Sequence, residues 1–181
     1  MARVTERIRL GPAALNPFTL HPYEIAGQIA LLDAVSGGRA YLGLAKGAWL
    51  DRLGIEEDRP LVALQEAVAV IEALLAGDTA GVDGERFTLT PGTALAYPRE
   101  RDSVPLLIGT WGRETARWAG TVADEVKIGG SANPELLPVV HGWIDKDRIV
   151  LETLMGIRRA GADIIISYHA PYACKLLQKQ R

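Results

Sequence analysis

Three successive segments constrain the fold more than any other feature of the chain. Val104-Pro-Leu-Leu-Ile-Gly109 reads as a strand, Arg113 to Gly120 as a helix, and Glu125-Val-Lys-Ile128 as a second strand. Strands joined through a crossover helix lie parallel, and a parallel sheet needs helices over its faces. The rest of the chain repeats this alternation. Arg7 to Gly11 alternates polar and apolar residues and ends at Gly-Pro, as a short strand entering a loop would. From Tyr23 to Val35, Ile25, Ala26, Ile29, Ala30, Leu32 and Val35 recur at helical spacing between a His21-Pro22 start and a Ser36-Gly37-Gly38 stop.

Arg39 to Ala45 is a short apolar run of buried-strand type, and Leu61 to Ala76 carries Leu64, Val68, Ile71 and Leu75 on one helical face up to the stop at Gly77. Asp78 to Val104 breaks into Gly, Pro, Thr and short extended pieces such as Arg86 to Leu89, an excursion that covers the main repeat locally. Beyond Asn133-Pro134 the pattern predicts a short helical piece over Glu135–Val140, a helix from Lys146 to Ala160 capped by Asp145, a strand over Asp163–Tyr168 and a helix from Pro171 to Gln180. A complete (β/α)₈ barrel takes roughly 200 to 250 residues or more, and this chain has 181. The expected class is therefore α/β with parallel strands, and length alone leaves open both a flavodoxin-like sheet and a partial (β/α) barrel that dimerisation would complete.

Composition narrows the function classes. With 48% hydrophobic and 23% charged residues the chain has the balance of a globular protein, not of a disordered one. Its 20 basic and 22 acidic side chains give a formal charge of −2, so no broad basic surface is offered to nucleic acid or to an anionic membrane. A single cysteine, Cys174, forms neither an internal disulfide nor a cysteine-rich zinc site and fits a reducing compartment. No apolar run reaches the roughly 18 to 20 residues of a membrane helix, and Met1 to Leu10 builds no signal-peptide core. These features predict a cytoplasmic protein with no nucleic-acid or membrane partner.

A set of phrases in order carries a family resemblance over residues 3 to about 140. They are Thr5-Glu-Arg-Ile-Arg-Leu-Gly11, Asn16-Pro17 with His21-Pro22, Leu32-Asp33-Ala-Val-Ser36-Gly-Gly-Arg39, Leu42-Gly-Leu-Ala-Lys-Gly47, Arg59-Pro60 before Glu66-Ala-Val, and Ile108-Gly-Thr-Trp-Gly-Arg113 with Ala119-Gly120 and Ala123-Asp124. Together they resemble the luciferase-like monooxygenases, in particular the branch similar to methylenetetrahydromethanopterin reductase. The resemblance implies a TIM-like barrel that holds the deazaflavin coenzyme F-420, or FMN as the alternative, across the C-terminal ends of its strands. It also implies that the family's first two βα units have no counterpart here, and Ala45 and Glu125 stand where glycines are usual.

Candidate cofactor residues follow from that placement and from their chemistry. In the loop Ala13-Ala14-Leu15-Asn16, small side chains let a flat ring approach the backbone, and Asn16 either bonds the cofactor or caps its own loop. Lys46 and Gly47 follow the second strand, and Asp51 holds either a cofactor tail or its own loop. Gly109, Thr110, Gly112 and Arg113 lead a strand into a helix N-terminus, where free amides and a cation favour phosphate, although glycines there also serve turn geometry alone. His21 reads as a cap or packing residue rather than a base. Trp49 and Trp111 read as loop anchors or as borders of the ring pocket. No residue is singled out as catalytic.

Residues 141 to 181 carry a second resemblance. The stretch His141-Gly-Trp-Ile-Asp-Lys-Asp-Arg-Ile-Val to Asp163-Ile-Ile-Ile-Ser-Tyr168 resembles the C-terminal end of porphobilinogen synthase, or delta-aminolevulinic acid dehydratase, in which the tyrosine matching Tyr168 helps bind the substrate carboxylate. Charge changes at the same place. Residues 1–140 hold 13 basic and 18 acidic side chains, whereas 141–181 hold 7 and 4. This predicts a chimera: a luciferase-like barrel fragment over 1–140 and a synthase-like helix-strand-helix over 141–181, packed in one domain. His169 with Cys174 is too few ligands for a closed metal site. Lys127, ending a predicted strand, reads as a phosphate contact or an outward-facing lysine before a Schiff-base lysine.

The functional expectation is an oxidoreductase fragment transferring hydride between F-420 or FMN and an organic substrate such as a methylene-tetrahydropterin. An inert scaffold or a half-barrel that associates with a second copy is the alternative, with a homo-oligomer expected. A lyase acting on aminolevulinate is the third reading.

Overall fold

The computed structural model describes residues 1–128 and 170–179. It divides into two compact units, Met1–Gly129 and Gly130–Arg181. In the second unit the described element is a helix, Ala170–Lys179, with Leu176 buried and Cys174 exposed. The expected elements between Glu135 and Tyr168, with Asp145, His169 and Tyr168 itself, lie outside the described residues.

The first unit is built on a parallel sheet. Strands β1 (Leu42–Ala45), β2 (Leu106–Gly109) and β3 (Glu125–Lys127) lie in the order β1-β2-β3, both pairs parallel, as the βαβ reading requires. Helix α1 (Pro22–Ser36) precedes β1, α2 (Pro60–Ala76) connects β1 to β2, and α3 (Arg113–Val122) connects β2 to β3. The register places Ala45 beside Gly109 and Gly109 beside Lys127. Leu44, Ile108 and Val126 turn towards the helices and pack in the core, so their neighbours in each strand face the opposite side of the sheet.

Helix boundaries follow local chemistry. The ring nitrogen Nδ1 of His21 accepts the Tyr23 amide at 3.1 Å, and Pro22 fills the first helical position of α1. At the other end Gly37 takes a left-handed φ of 66°, which lets the Gly37 and Gly38 amides close on Ala34 and Asp33 carbonyls. The α2 residues Leu64, Val68, Ile71 and Leu75 are all buried, as their spacing predicts. On α1 the inward position near the C-terminus belongs to Asp33, which is 1% exposed, and Val35 is left outside.

The expected strand over Arg7–Gly11 reduces to one bridge, Leu10 with Ala40, and a second, Leu15 with Leu44, falls in the loop that follows it. Five steps of the first segment, 10 to 15, oppose four of the chain from 40 to 44, so one residue bulges. The bulge holds Pro12, which has no amide to offer a ladder. Its carbonyl lies over Gly43, where a Cβ would stand 2.1 Å from the Pro12 oxygen. The Ala13–Ala14 peptide in the bulge is cis. The excursion from Asp78 to Val104 contains one antiparallel bridge, Val82 with Leu89, and covers the core with Leu89, Phe87 and Leu95.

At the N-terminal ends of the strands, side chains close the structure. The Asp33 carboxylate accepts the Ala40 amide and both arms of the Arg101 guanidinium, at 2.9 and 2.6 Å, while Arg101 also reaches the Ala40 carbonyl. Arg39 donates to the carbonyls of Ser36, Ile8 and Ala2 and so sits beneath the sheet. The Asp124 carboxylate accepts the Leu106 amide at 2.8 Å. A cavity of about 260 Å³ opens here between α2 and the starts of β1 and β2, lined by Leu42, Val68, Ile71, Leu75 and Leu106 with Glu72.

Candidate functional site

Most of the sequence-predicted cofactor residues gather at the opposite, C-terminal ends of the strands. Ala45 and Gly109 stand side by side there, a Cβ on Gly109 falling 3.4 Å from that of Ala45. With so little side chain the backbone forms a bare floor on the face away from the helices. Lys127 ends the same row. The first segment joins it through backbone bonds, the Leu15 amide to the Gly43 carbonyl and the Ala45 amide to the Leu15 carbonyl, both 2.9 Å.

Above the floor lie three loops. In the first, Ala14 is exposed, whereas the Leu15 side chain packs against the core, so Leu15 offers the site its backbone only. Asn16 Oδ1 accepts from the Phe18 amide, the Thr19 amide and the Thr19 hydroxyl at 2.9 to 3.1 Å. Of the two open readings of Asn16, the loop cap is the one observed, and its amide group lies against Gly47. Gly47 has φ +96°, and a Cβ there would crowd Asn16 at 3.0 to 3.2 Å, so glycine is needed twice over.

In the second loop the Lys46 ammonium pairs with Glu57 at 2.8 Å. Asp51 lies on a single 3₁₀ turn, Leu50–Leu53, where its carbonyl accepts the Gly54 amide and its side chain is exposed. Trp49 is 69% exposed and Trp111 60%, so neither anchors its loop. The Arg52 guanidinium covers the Trp49 ring at 5.8 Å.

The third loop carries the anion-binding features. The Thr110 hydroxyl accepts the Gly112 amide at 2.9 Å and folds the turn, and the Thr110 amide bonds the Lys127 carbonyl. Gly112 is the N-cap of α3 and no side chain caps the helix, so its first-turn amides are open beside the exposed Arg113. Gly112 has φ −85°, and a Cβ there would meet only ordinary contacts at 3.6 and 3.7 Å. The fold does not itself require glycine at this position.

Sequence reasoning missed three contacts. Lys127 Nζ donates to the Ala13 carbonyl at 3.0 Å, a contact 114 residues apart in sequence that no local pattern encodes. Gly43 admits the Pro12 carbonyl; an isolated glycine inside a strand is the signal that would have found it. Glu66 on α2 accepts the amides of Glu85, Arg86 and Phe87 at 2.7 to 3.0 Å and holds the excursion to the helix. Burial raises its pKa, but the three amides and the Arg59 charge outweigh that and hold it below the usual carboxylate value. At the other end, burial beside the cavity raises Glu72. Among the described residues no cluster of three His, Cys, Asp or Glu side chains is placed to hold a metal, and no helix is long and apolar enough to cross a membrane.

The family model of luciferase-like monooxygenases matches residues 1–138. The chain belongs to that family. The 5,10-methylenetetrahydromethanopterin reductase of Methanolobus tindarius is 33% identical over 99% of this chain and 52% of its own length. An F420-dependent glucose-6-phosphate dehydrogenase of Microbacterium testaceum is 31% identical over 91% of this chain and 51% of its own. The solved coenzyme F420-dependent tetrahydromethanopterin reductase of Methanopyrus kandleri superposes with a TM-score of 0.68 at 28% identity, over 77% of this chain and 46% of the other. The chain thus spans about half the length of the curated relatives it matches. A second model, delta-aminolevulinic acid dehydratase, matches residues 137–176. The Methanolobus alignment runs through the same stretch.

Proposed function

We propose that this chain is the cofactor-holding part of an oxidoreductase that moves hydride between a deazaflavin, coenzyme F-420, and a small organic substrate, with FMN as the alternative cofactor. The observation that carries the reading is the union, at one end of the sheet, of a bare Ala45–Gly109 floor and the uncapped N-terminus of α3. A flat ring needs the first and a phosphate needs the second. The relatives named for F420 dependence support the choice of cofactor.

In this reading the α3 amides, Thr110, Gly112 and Arg113 hold the phosphate, while Ala14, Leu15, Asn16, Lys46, Gly47 and Asp51 border the ring and its tail. The cofactor supplies the hydride chemistry, and the chain supplies position and exclusion of water. A methylene-tetrahydropterin is the substrate class the reductase relatives suggest. The junction near Val140, with a synthase-like segment over 141–181 that includes Tyr168, and completion of the barrel by a second copy belong to the same proposal. The lyase reading rests on residues 137–176 alone and is not carried further.

The test is a fluorescence titration with F-420 and separately with FMN, with the solution mass measured alongside. Saturable micromolar binding, lost in Gly112→Leu while the unfolding midpoint holds, is the expected result. A folded dimer that binds neither cofactor would replace this reading with an inert associating scaffold.

A further inference from the structure

Lys127 is placed to do more than end a strand. Val126 packs into the core, so Glu125 and Lys127 both face away from the helices, and each reaches the first segment of the chain. Glu125 pairs with Arg9 at 2.5 Å, with both side chains about half exposed. Two residues on, the Lys127 ammonium donates to the Ala13 carbonyl, inside the bulge that borders the Ala45–Gly109 floor. The other fixed points of that bulge come from β1 and its turn: Pro12 over Gly43, Leu15 in the ladder, Asn16 against Gly47. Lys127 alone among these ties it to β3, and it keeps two further N–H donors.

We propose that Lys127 is a positioning residue of the cofactor site, clamping the 13–16 loop at the height at which a flat ring can rest on the floor. The proposal rests on the reading of this end of the sheet as a cofactor site. It assigns the lysine neither a phosphate contact nor a covalent role. Because the clamp is a charge-assisted bond to a neutral carbonyl, arginine should replace it in part and methionine, of similar length but without charge, should not.

Hydrogen exchange and cofactor titration on the whole chain test this together. In Lys127→Met the amides of Leu15, Phe18 and Thr19 should exchange faster while those of α1 and α2 keep their rates, and F-420 should bind about tenfold more weakly. Lys127→Arg should recover most of both. Unchanged exchange at these three amides in the methionine variant would overturn the clamp, with or without cofactor. Faster exchange throughout the unit would overturn it in favour of a general stabilising role. If wild type binds F-420 and the methionine variant binds it equally well, the positioning role falls while the cofactor reading stands. If wild type binds neither F-420 nor FMN, the cofactor reading and the positioning role fall together, and the exchange data report the loop contact alone.

Discussion

The two ends of the sheet are built on opposite terms. At the N-terminal ends the polar groups are paired: Asp33 with Arg101 and the Ala40 amide, Arg39 with three carbonyls, Asp124 with the Leu106 amide. At the C-terminal ends Asn16, Lys46 and Lys127 have partners, but the first turn of α3 is uncapped, Arg113 is exposed and two tryptophans lie largely in solvent. A parallel sheet permits this division because its loops separate by direction, those after the strands on one side and those before them on the other. Stability can then reside at one end and ligand chemistry at the other.

Removing the charge from Arg101 is the hardest test of that division. Arg101→Met leaves the buried Asp33 carboxylate without its partner and should cost about 3 kcal/mol, the lower end of such losses because Arg101 is partly exposed. Urea unfolding measures the loss. Cofactor affinity per folded molecule should not change, and if it does, the two ends are coupled. Gly43→Ala probes the boundary between them. A methyl forced against the Pro12 carbonyl should cost about 1 to 3 kcal/mol and, by lifting the bulge, weaken cofactor binding as well.

Glu66→Gln should cost about 1 kcal/mol at neutral pH, read from the same urea curves. The sign of its pH dependence follows from its lowered pKa. The wild-type contribution is complete above the unfolded value near 4.5 and is lost as pH falls through the folded one, so the glutamine variant should lose less stability on acidification. Glu72 has the opposite sign. Its raised pKa means the folded state resists ionisation there, so stability declines as pH rises from about 4.5, and Glu72→Gln should raise the neutral-pH midpoint slightly. Gly112→Leu has the smallest expected effect on unfolding and a large one on cofactor affinity. Thermal midpoint and titration on one sample show whether the open end can change without cost to the closed one.

Much of the fold could be read directly because its signals are local. Helical spacing over α1 and α2, the Gly37 and Gly77 stops and the strand–helix–strand run all depend on residues within a few positions of each other. The first strand misled for an equally local reason: its alternation is genuine, but Pro12 removes an amide and the bulge leaves it only one bridge. The candidate loops lie at the strand ends, and Asn16 takes the loop cap that was one of its two open readings. The partner of Lys46, which spends its charge on Glu57, was not legible in the sequence.

The amino-acid order by itself determined the parallel α/β class, the helices, the family phrases and the loops that carry them. Tertiary structure decided which residues meet. Asp33 finds Arg101 across 68 positions, Glu66 holds amides about 20 positions away, and Lys127 reaches Ala13 across 114. The physical reason is that helix and turn preferences act between neighbours in sequence, whereas a long-range bond or a close backbone approach exists only once the packed core has fixed both partners in space.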